Sequence, residues 1–312
     1  MRVAICIGTF CRTKLLRQLL ISLSRLTFQK TARPTFEVIV VDNDPHGSAS
    51  EAFVTTKYDF PIRYVIEPRR GIANVRNRAI QEAQSSDFIA FLDDDEVASR
   101  EWLDELLWAQ ARFGLDVVTG PIRPNFVGQI PEWVKKSECF QRREFKTGAL
   151  LDKCTTANSL ISAAVFEVVS GFDEHFQLTG GEDTHFFVQV HRAGFRIGWS
   201  QQAVVHEEIS RERANLRWIL HRGFQLGNSW VLCEQLLESG ARFRVGRFCK
   251  ACAHMANGLA VSILSLFFSR GLAAKYLREA FLGAGMFAGL FGLRYQAYGP
   301  ANFASSAGAA KA

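Results

Sequence analysis

A chain of 312 residues, 48% hydrophobic and 22% charged, has ample apolar material for a packed core and too little charge for general disorder. The formal net charge of +6 is unevenly spread, with acidic clusters before residue 210 and basic residues gathered after it. No basic–aromatic interleaving or recognition-helix pattern marks nucleic acid as a partner, and the seven cysteines (6, 11, 139, 154, 233, 249, 252) make no disulfide framework.

Cys249 and Cys252 form a lone C-x-x-C without a second pair, which speaks against zinc and for free thiols in a reducing compartment. The N-terminus carries no secretory pattern, because its short apolar run breaks at Arg12 and Lys14. The bulk of the chain is therefore expected in the cytoplasm.

In chain order, Val3–Gly8 is expected as a buried strand and Thr13–Leu26 as a helix, with leucines at 15, 16, 19, 20, 23 and 26. Phe36–Val41, Ile62–Ile66 and Phe88–Leu92 follow as strands, with Gly71–Ala83 and Arg100–Phe113 as helices, and Val117 and Val118 begin a fifth strand. Continuous apolar strands separated by helices imply an α/β fold, its mostly parallel sheet covered on both faces. Ligands of such sheets sit at the carboxyl ends of the strands, where Asp42 and Asp93 each follow the last apolar residue.

Residues 121–155, with Pro121, Pro124 and Pro131, are expected to form an irregular or loop-rich insert. Periodicity returns at Ser159–Ser170 and Glu182–Ala193, with short strands at Phe195–Trp199 and Val204–His206. From Ala214 the pattern is helical and contains two apolar runs, Ala256–Phe268 and Ala280–Leu293. Both are shorter than the ~20 residues of a membrane span. Arg242, Arg244, Arg247 and Lys250 precede the first run, and Arg270, Lys275 and Arg278 separate the two. Docking on an anionic membrane surface and packing against protein are both open for this region.

The stretch Phe-Ile-Ala-Phe-Leu-Asp-Asp-Asp-Glu, residues 88–96, ends an apolar run in four carboxylates. In extended geometry Asp93 and Asp95 share a side, and paired hard oxygens suit Mg²⁺ or Mn²⁺ on a diphosphate. The competing reading is negative charge favoured before the helix at Arg100, which accounts for one or two acids better than for four. Asp42, in Val-Val-Asp-Asn-Asp, is placed to bond a base or ribose, or else to build a turn. Arg76 lies beside the apolar stripe of its helix, where it can reach an anion over the sheet edge. Thr179-Gly180-Gly181-Glu182-Asp183 puts Asp183 in the first turn of a helix, the place for a general base or for simple charge complementarity. His206 is a candidate imidazole ligand or a structural histidine.

Taken as an ordered series, these stretches resemble family 2 glycosyltransferases of the GT-A fold, over roughly residues 1–235. The matching segments are Ile5-Cys6-Ile7-Gly8-Thr9-Phe10, VVDND, Val75-Arg76-Asn77, FLDDDE and GGED. The insert with Pro131-Glu132-Trp133 and Val205-His206-Glu207 resembles the transferases of succinoglycan-type exopolysaccharide synthesis. The resemblance implies a nucleotide-binding half at 1–120 and an acceptor half at 121–235; composition alone reads 236–300 as an apolar and basic helical membrane-associating region and 301–312, small and nearly featureless, as a disordered tail. The resemblance further implies donor contacts at Thr9, Asp42, Arg76 and Asp93, a catalytic base at Asp183 and an acceptor-side Glu182. Asp95, Asp93 and His206 would be metal ligands for Mg²⁺ or Mn²⁺.

The implied reaction is a single inverting transfer of one hexose from a UDP-sugar, glucose foremost, to a polyprenyl-diphosphate-linked oligosaccharide. It would take place at the inner face of the cell membrane, with other polysaccharide assembly enzymes as possible partners. Gln225, Arg222 and Trp230 do not form the Q-x-x-R-W of processive members, so transfer of a single sugar is expected. Rival readings are another nucleotide sugar used for other cell-surface glycans, and a non-catalytic membrane-docked scaffold.

Overall fold

A computed structural model describes residues 1–54, 56–238 and 240–297. Strand β1 (Arg2–Thr9) runs parallel to β2 (Thr35–Asp42) on one side, after helix α1 (Thr13–Leu23). Helix α2 (Glu51–Val54), β3 (Ile62–Ile66) and α3 (Ile72–Glu82) follow, then β4 (Phe88–Asp93), parallel to β1 on its other side, and β5 (Glu96–Ala98). Next come α4 (Trp102–Phe113), β6 (Val117–Thr119), β7 (Ile122–Phe126), α5 (Glu132–Lys136), β8 (Leu150–Leu151), β9 (Ser159–Ser162) and α6 (Ala163–Val168). The chain continues through α7 (Glu182–Arg192), β10 (Ile197–Trp199), β11 (Val205–Ile209), α8 (Leu216–Leu237), α9 (Ala241–Ser265) and α10 (Arg270–Leu290).

The large sheet has the order β3-β2-β1-β4-β9-β6-β10-β8, and a small sheet pairs β5-β11-β7. The central strands read as unbroken apolar runs because both of their faces are covered. Ile5, Ile7, Val38, Val40 and Leu92 point to one core, closed by leucines of α1 and by Trp102, Leu103 and Leu106 of α4. Ala4, Cys6, Ile39, Val41 and Phe91 point to the other, closed by Val75 of α3 and Phe186, Phe187 and Val190 of α7. Each fully buried large side chain contributes roughly 1.5–3 kcal/mol.

The segment at 121–155 is loop-rich, as expected, with only the short elements β7, α5 and β8 in it. Other local expectations change. The run at Ser159–Ser170 divides into strand β9 and helix α6, and β9 lies antiparallel between β4 and β6. Helix α1 stops at Leu23, three residues short of Leu26. Asn158, at a φ of 59°, joins the two sheets: its amide donates to the carbonyls of Pro121 and Ala203 and accepts from the Trp102 indole at 2.7 Å.

The C-terminal helices form a layered unit in which α10 lies between α8 and α9. The approach of α8 to α10 is close enough that a Cβ on Gly227 would lie 1.9 Å from the Leu282 carbonyl oxygen, and one on Gly285 the same distance from that of Phe224. The apolar run at 280–293 is largely buried by this packing, whereas that at 256–268 is largely exposed. The tail expected at 301–312 lies outside the described residues.

Candidate active site

Register brings the first residues of the site to one edge, with Thr9 opposite Asp42 and Gly8 opposite Asp93. Asp42 is fully buried and accepts from the backbone N–H of Asp44 and Ala49 and from the Tyr64 hydroxyl, at 2.9, 2.8 and 2.8 Å. It thus holds the loop that follows β2. Asn43 continues the edge by donating to the carbonyls of Glu67 and Arg69 and accepting from the Gly71 N–H.

The acid run does not stay extended. Strand β4 ends at Asp93, and Asp94 and Asp95 form the turn into β5, so simple alternation does not govern where the three carboxylates point. Asp93 remains half-exposed, 3.6 Å from the Arg76 guanidinium. Asp94 is buried, accepts from the Thr9 hydroxyl at 2.8 Å and pairs with Arg12 at 3.0 Å. Burial pushes its carboxyl up to about 6, with Arg12 opposing and the charge of Asp95 adding. Asp95 pairs with Arg12 at 3.4 Å and Arg213 at 2.9 Å. Glu96, 1% exposed, accepts from the Asp93 N–H through one oxygen while the other has no partner. Burial, then the charge of Asp93, raises its carboxyl well above the usual range.

Repulsion among these acids is therefore met by three guanidinium groups, those of Arg12, Arg76 and Arg213. Arg76, itself 9% exposed, also donates to Glu182 at the start of α7. Glu182 is pushed up to about 7 by burial, with Arg76 opposing and Asp183 adding. Gly181 takes a φ of 102°, a left-handed conformation that favours glycine, to deliver the chain into α7. Asp183 follows in the first turn, half-buried, its Oδ1 accepting from the Thr184 N–H at 2.6 Å. From α8, Ser229 donates to the Thr179 carbonyl and Cys233 to that of Gly181, so α8 braces this turn.

His206 is largely exposed on β11, where partial desolvation of its ring and then the charge of Arg123 lower its basicity. Strand alternation turns its neighbour Glu207 the other way. It is Glu207 that shares Arg213 with Asp95, and Arg142 adds a second bond to Glu207 at 3.0 Å. Arg12, Asp94, Glu96, Glu207 and Arg213 had no site role assigned from sequence, although Asp94 and Glu96 lie in the acid run and Glu207 in the stretch quoted with His206. Arg12, directly after β1, carried a positional signal; Arg213, 118 residues from Asp95, carried none.

Among the described residues no group of three or more His, Cys, Asp or Glu is arranged to hold a metal ion. The donor chemistry suits a hard cation in that Asp93 and Asp95 offer carboxylate oxygens, but in this structure Asp95 is paired with two guanidinium groups that a cation would meet first.

A mostly parallel sheet with a second small sheet, and acids gathered where the β4–β5 turn meets the start of α7, give the chain a GT-A architecture. Residues 4–169 match the model described as "Glycosyl transferase family 2", and the chain belongs to that family. It is 32% identical over 292 residues to the succinoglycan biosynthesis protein ExoM of Rhizobium meliloti, covering 89% of this chain and 90% of that protein. The glycosyltransferase AglE of Haloferax volcanii is 26% identical over 187 residues, 58% of this chain and 60% of the relative. Among solved structures, the mannosyltransferase PcManGT of Pyrobaculum calidifontis, in complex with GDP-Man and Mn²⁺, has a TM-score of 0.63 at 16% identity, over 93% of this chain and 87% of that one. Residues 1–349 of S. aureus TarS, in complex with UDP, give 0.50 at 17% identity, over 95% and 93%.

Proposed function

We propose that this enzyme transfers one hexose from a uridine-diphosphate sugar to a lipid-linked oligosaccharide at the inner face of the cell membrane, in exopolysaccharide synthesis. The observation that carries the reading is the bridge made by Arg76, which joins Glu182, beside the candidate base, to Asp93 on the strand edge expected to face the donor. The name of the Rhizobium relative supports the pathway class, and the UDP and GDP-Man complexes of the fold neighbours support a nucleotide-sugar donor.

In this reading the Asp183 carboxylate takes the proton of an acceptor hydroxyl. The hydroxyl oxygen attacks the anomeric carbon from the face opposite the diphosphate, and the bond from that carbon to the diphosphate oxygen breaks. The configuration inverts, and the nucleoside diphosphate departs with the bonding electrons. Arg76 would offset charge growing on the leaving group, a role its contact with Asp93 supports. Asp93 and Asp95 would hold a divalent cation, which when bound adds to that electrostatic stabilisation. His206 is a further ligand only if β11 or its surroundings rearrange, since its exposed side lies opposite Glu207.

Calorimetric titration of UDP, with and without Mn²⁺, tests the reading on the native protein and on Asp95→Asn. Metal-dependent binding that the substitution abolishes is expected, with UDP-glucose the first donor to be assayed. Binding indifferent to both metal and substitution would remove the donor site from Asp95. Tight binding of GDP or TDP in place of UDP would keep the site and change the donor.

A further inference from the structure

Helix α9 is the outermost layer of the C-terminal unit, and α10 covers only one flank of it. The flank turned to α10 is a narrow line of small residues, Ala251, Gly258, Ser262 and Ser265. The remainder is open: Ile263, Leu264 and Leu266 are 60–63% exposed, and Phe267 and Phe268, in the turn to α10, are 83% and 87% exposed. Monomeric soluble proteins rarely leave large side chains contiguous and bare to this degree.

Charge selects what covers them. The segment 241–265 contains Arg242, Arg244, Arg247 and Lys250 and no acidic residue, and the next acid in the chain is Glu279. Arg242, Arg244 and Lys250 are exposed, whereas Arg247 is held by Glu234 at 2.6 Å. A second copy laid on the same face would bring basic residues and apolar residues but no anion to pair with them. Arg244 also borders an open pocket of about 220 Å³ walled by Val245, Phe248, Leu290 and Phe291, a guanidinium beside an apolar recess. That is the pairing a phospholipid presents, a phosphate above an acyl chain. No helix among the described residues is long and apolar enough to cross a membrane.

We infer that the open face of α9 and the Phe267–Phe268 turn dock in the plane of an anionic phospholipid bilayer. This rests on the proposed lipid-linked acceptor and specifies the surface that meets the membrane. The apolar side chains enter the interface while Arg242, Arg244 and Lys250 remain at headgroup depth. The α8–α10 packing then fixes the catalytic cleft relative to the bilayer.

The test is flotation of the full chain with vesicles of mixed phosphatidylglycerol and phosphatidylcholine, or of phosphatidylcholine alone, beside UDP calorimetry on the same samples. Binding to the anionic vesicles, weakened by salt, is expected. Arg242→Gln/Arg244→Gln/Lys250→Gln should lower partitioning by about a hundredfold, at about fivefold per cation. Phe267→Ser/Phe268→Ser should lower it at least about tenfold with unchanged UDP affinity. Failure to float with normal UDP affinity, equal binding to phosphatidylcholine alone, or a dimer dissolved by the double Phe substitution without vesicle binding would each overturn the inference. Flotation without UDP binding would uphold the docking face and defeat the donor reading instead.

Discussion

Arg213 donates to Asp95 at 2.9 Å and, through its other amino group, to Glu207, so the acid best suited to a cation already carries one supplied by the loop after β11. The guanidinium is 23% exposed, and Asp95 11%, so solvent screens the pair little. Any divalent cation reaching Asp95 must displace this contact or share the carboxylate with it. Arg213→Gln removes the competitor and leaves Asp95 more available. Charge-assisted hydrogen bonds contribute about 1.5–3 kcal/mol, so Mn²⁺ affinity in the absence of nucleotide should rise about tenfold or more. Electron paramagnetic resonance of free Mn²⁺ reads this directly, and unchanged affinity would mean that Arg213 does not compete.

Glu182 ties stability to pH in a definite direction. Its folded-state value is raised from 4.5 to about 7, burial being the largest cause, so the native state holds a proton that the unfolded chain releases earlier. The stabilising contribution is therefore full below pH 4.5 and lost as pH rises toward 7. At 1.36 kcal/mol per unit, the loss is on the order of 3 kcal/mol. Glu182→Gln, which stays neutral, should flatten this part of the profile and exceed the native protein in melting temperature at pH 8. A native-like slope in Glu182→Gln would assign it to other groups, with Asp94, raised to about 6, the next to examine by Asp94→Asn.

The strands at 3–8, 36–41 and 88–92 were legible because burial on both faces writes them as continuous apolar runs, and the carboxyl edge followed from their order. The helices carrying Arg76 and Asp183 were legible from their period. Neither the turn at Asp94–Asp95 nor the antiparallel placement of β9 could be read, because both depend on hydrogen-bonding partners distant in the chain. The apolar runs of α9 and α10 look alike in sequence, yet one is bare and the other covered. Gly283, Gly285 and Gly289 allow α10 close approach on both sides, and only the assembled layers reveal that α9 packs mainly on α10 among the described residues.

Asp42 combines a site position with a structural one. Removing its carboxylate leaves two buried backbone N–H groups and the Tyr64 hydroxyl without their acceptor. At about 1–3 kcal/mol for each buried unsatisfied group, Asp42→Ala should cost about 3–5 kcal/mol, the range of severe single substitutions. Asp42→Asn keeps one carbonyl oxygen and should cost less than half as much. Urea denaturation of the three proteins checks this ordering. Equal stability of Asp42→Ala and the native chain would show that the loop after β2 is held by other contacts.

Gly227 tests whether the helical unit governs catalysis from a distance. A Cβ there would meet the Leu282 carbonyl at 1.9 Å, and a backbone oxygen cannot turn aside as a side chain can. Gly227→Val should force α8 and α10 apart at a cost of about 3 kcal/mol or more. Because Ser229 and Cys233 of α8 bond the carbonyls of Thr179 and Gly181, that separation loosens the turn presenting Asp183. Asp42 and Asp95 lie on other elements, and only Arg76 and Asp93 are tied to this turn through Glu182, so turnover should fall at least about tenfold, as small misplacements of a catalytic group do, and UDP affinity by a smaller factor. Gly246→Val is the control, since nothing lies within 4 Å of a Cβ at that position, and it should match the native enzyme in both measurements. Parallel losses of turnover and UDP affinity in Gly227→Val would point instead to general unfolding, and a native-like kcat would free the proposed base, Asp183, from any dependence on α8.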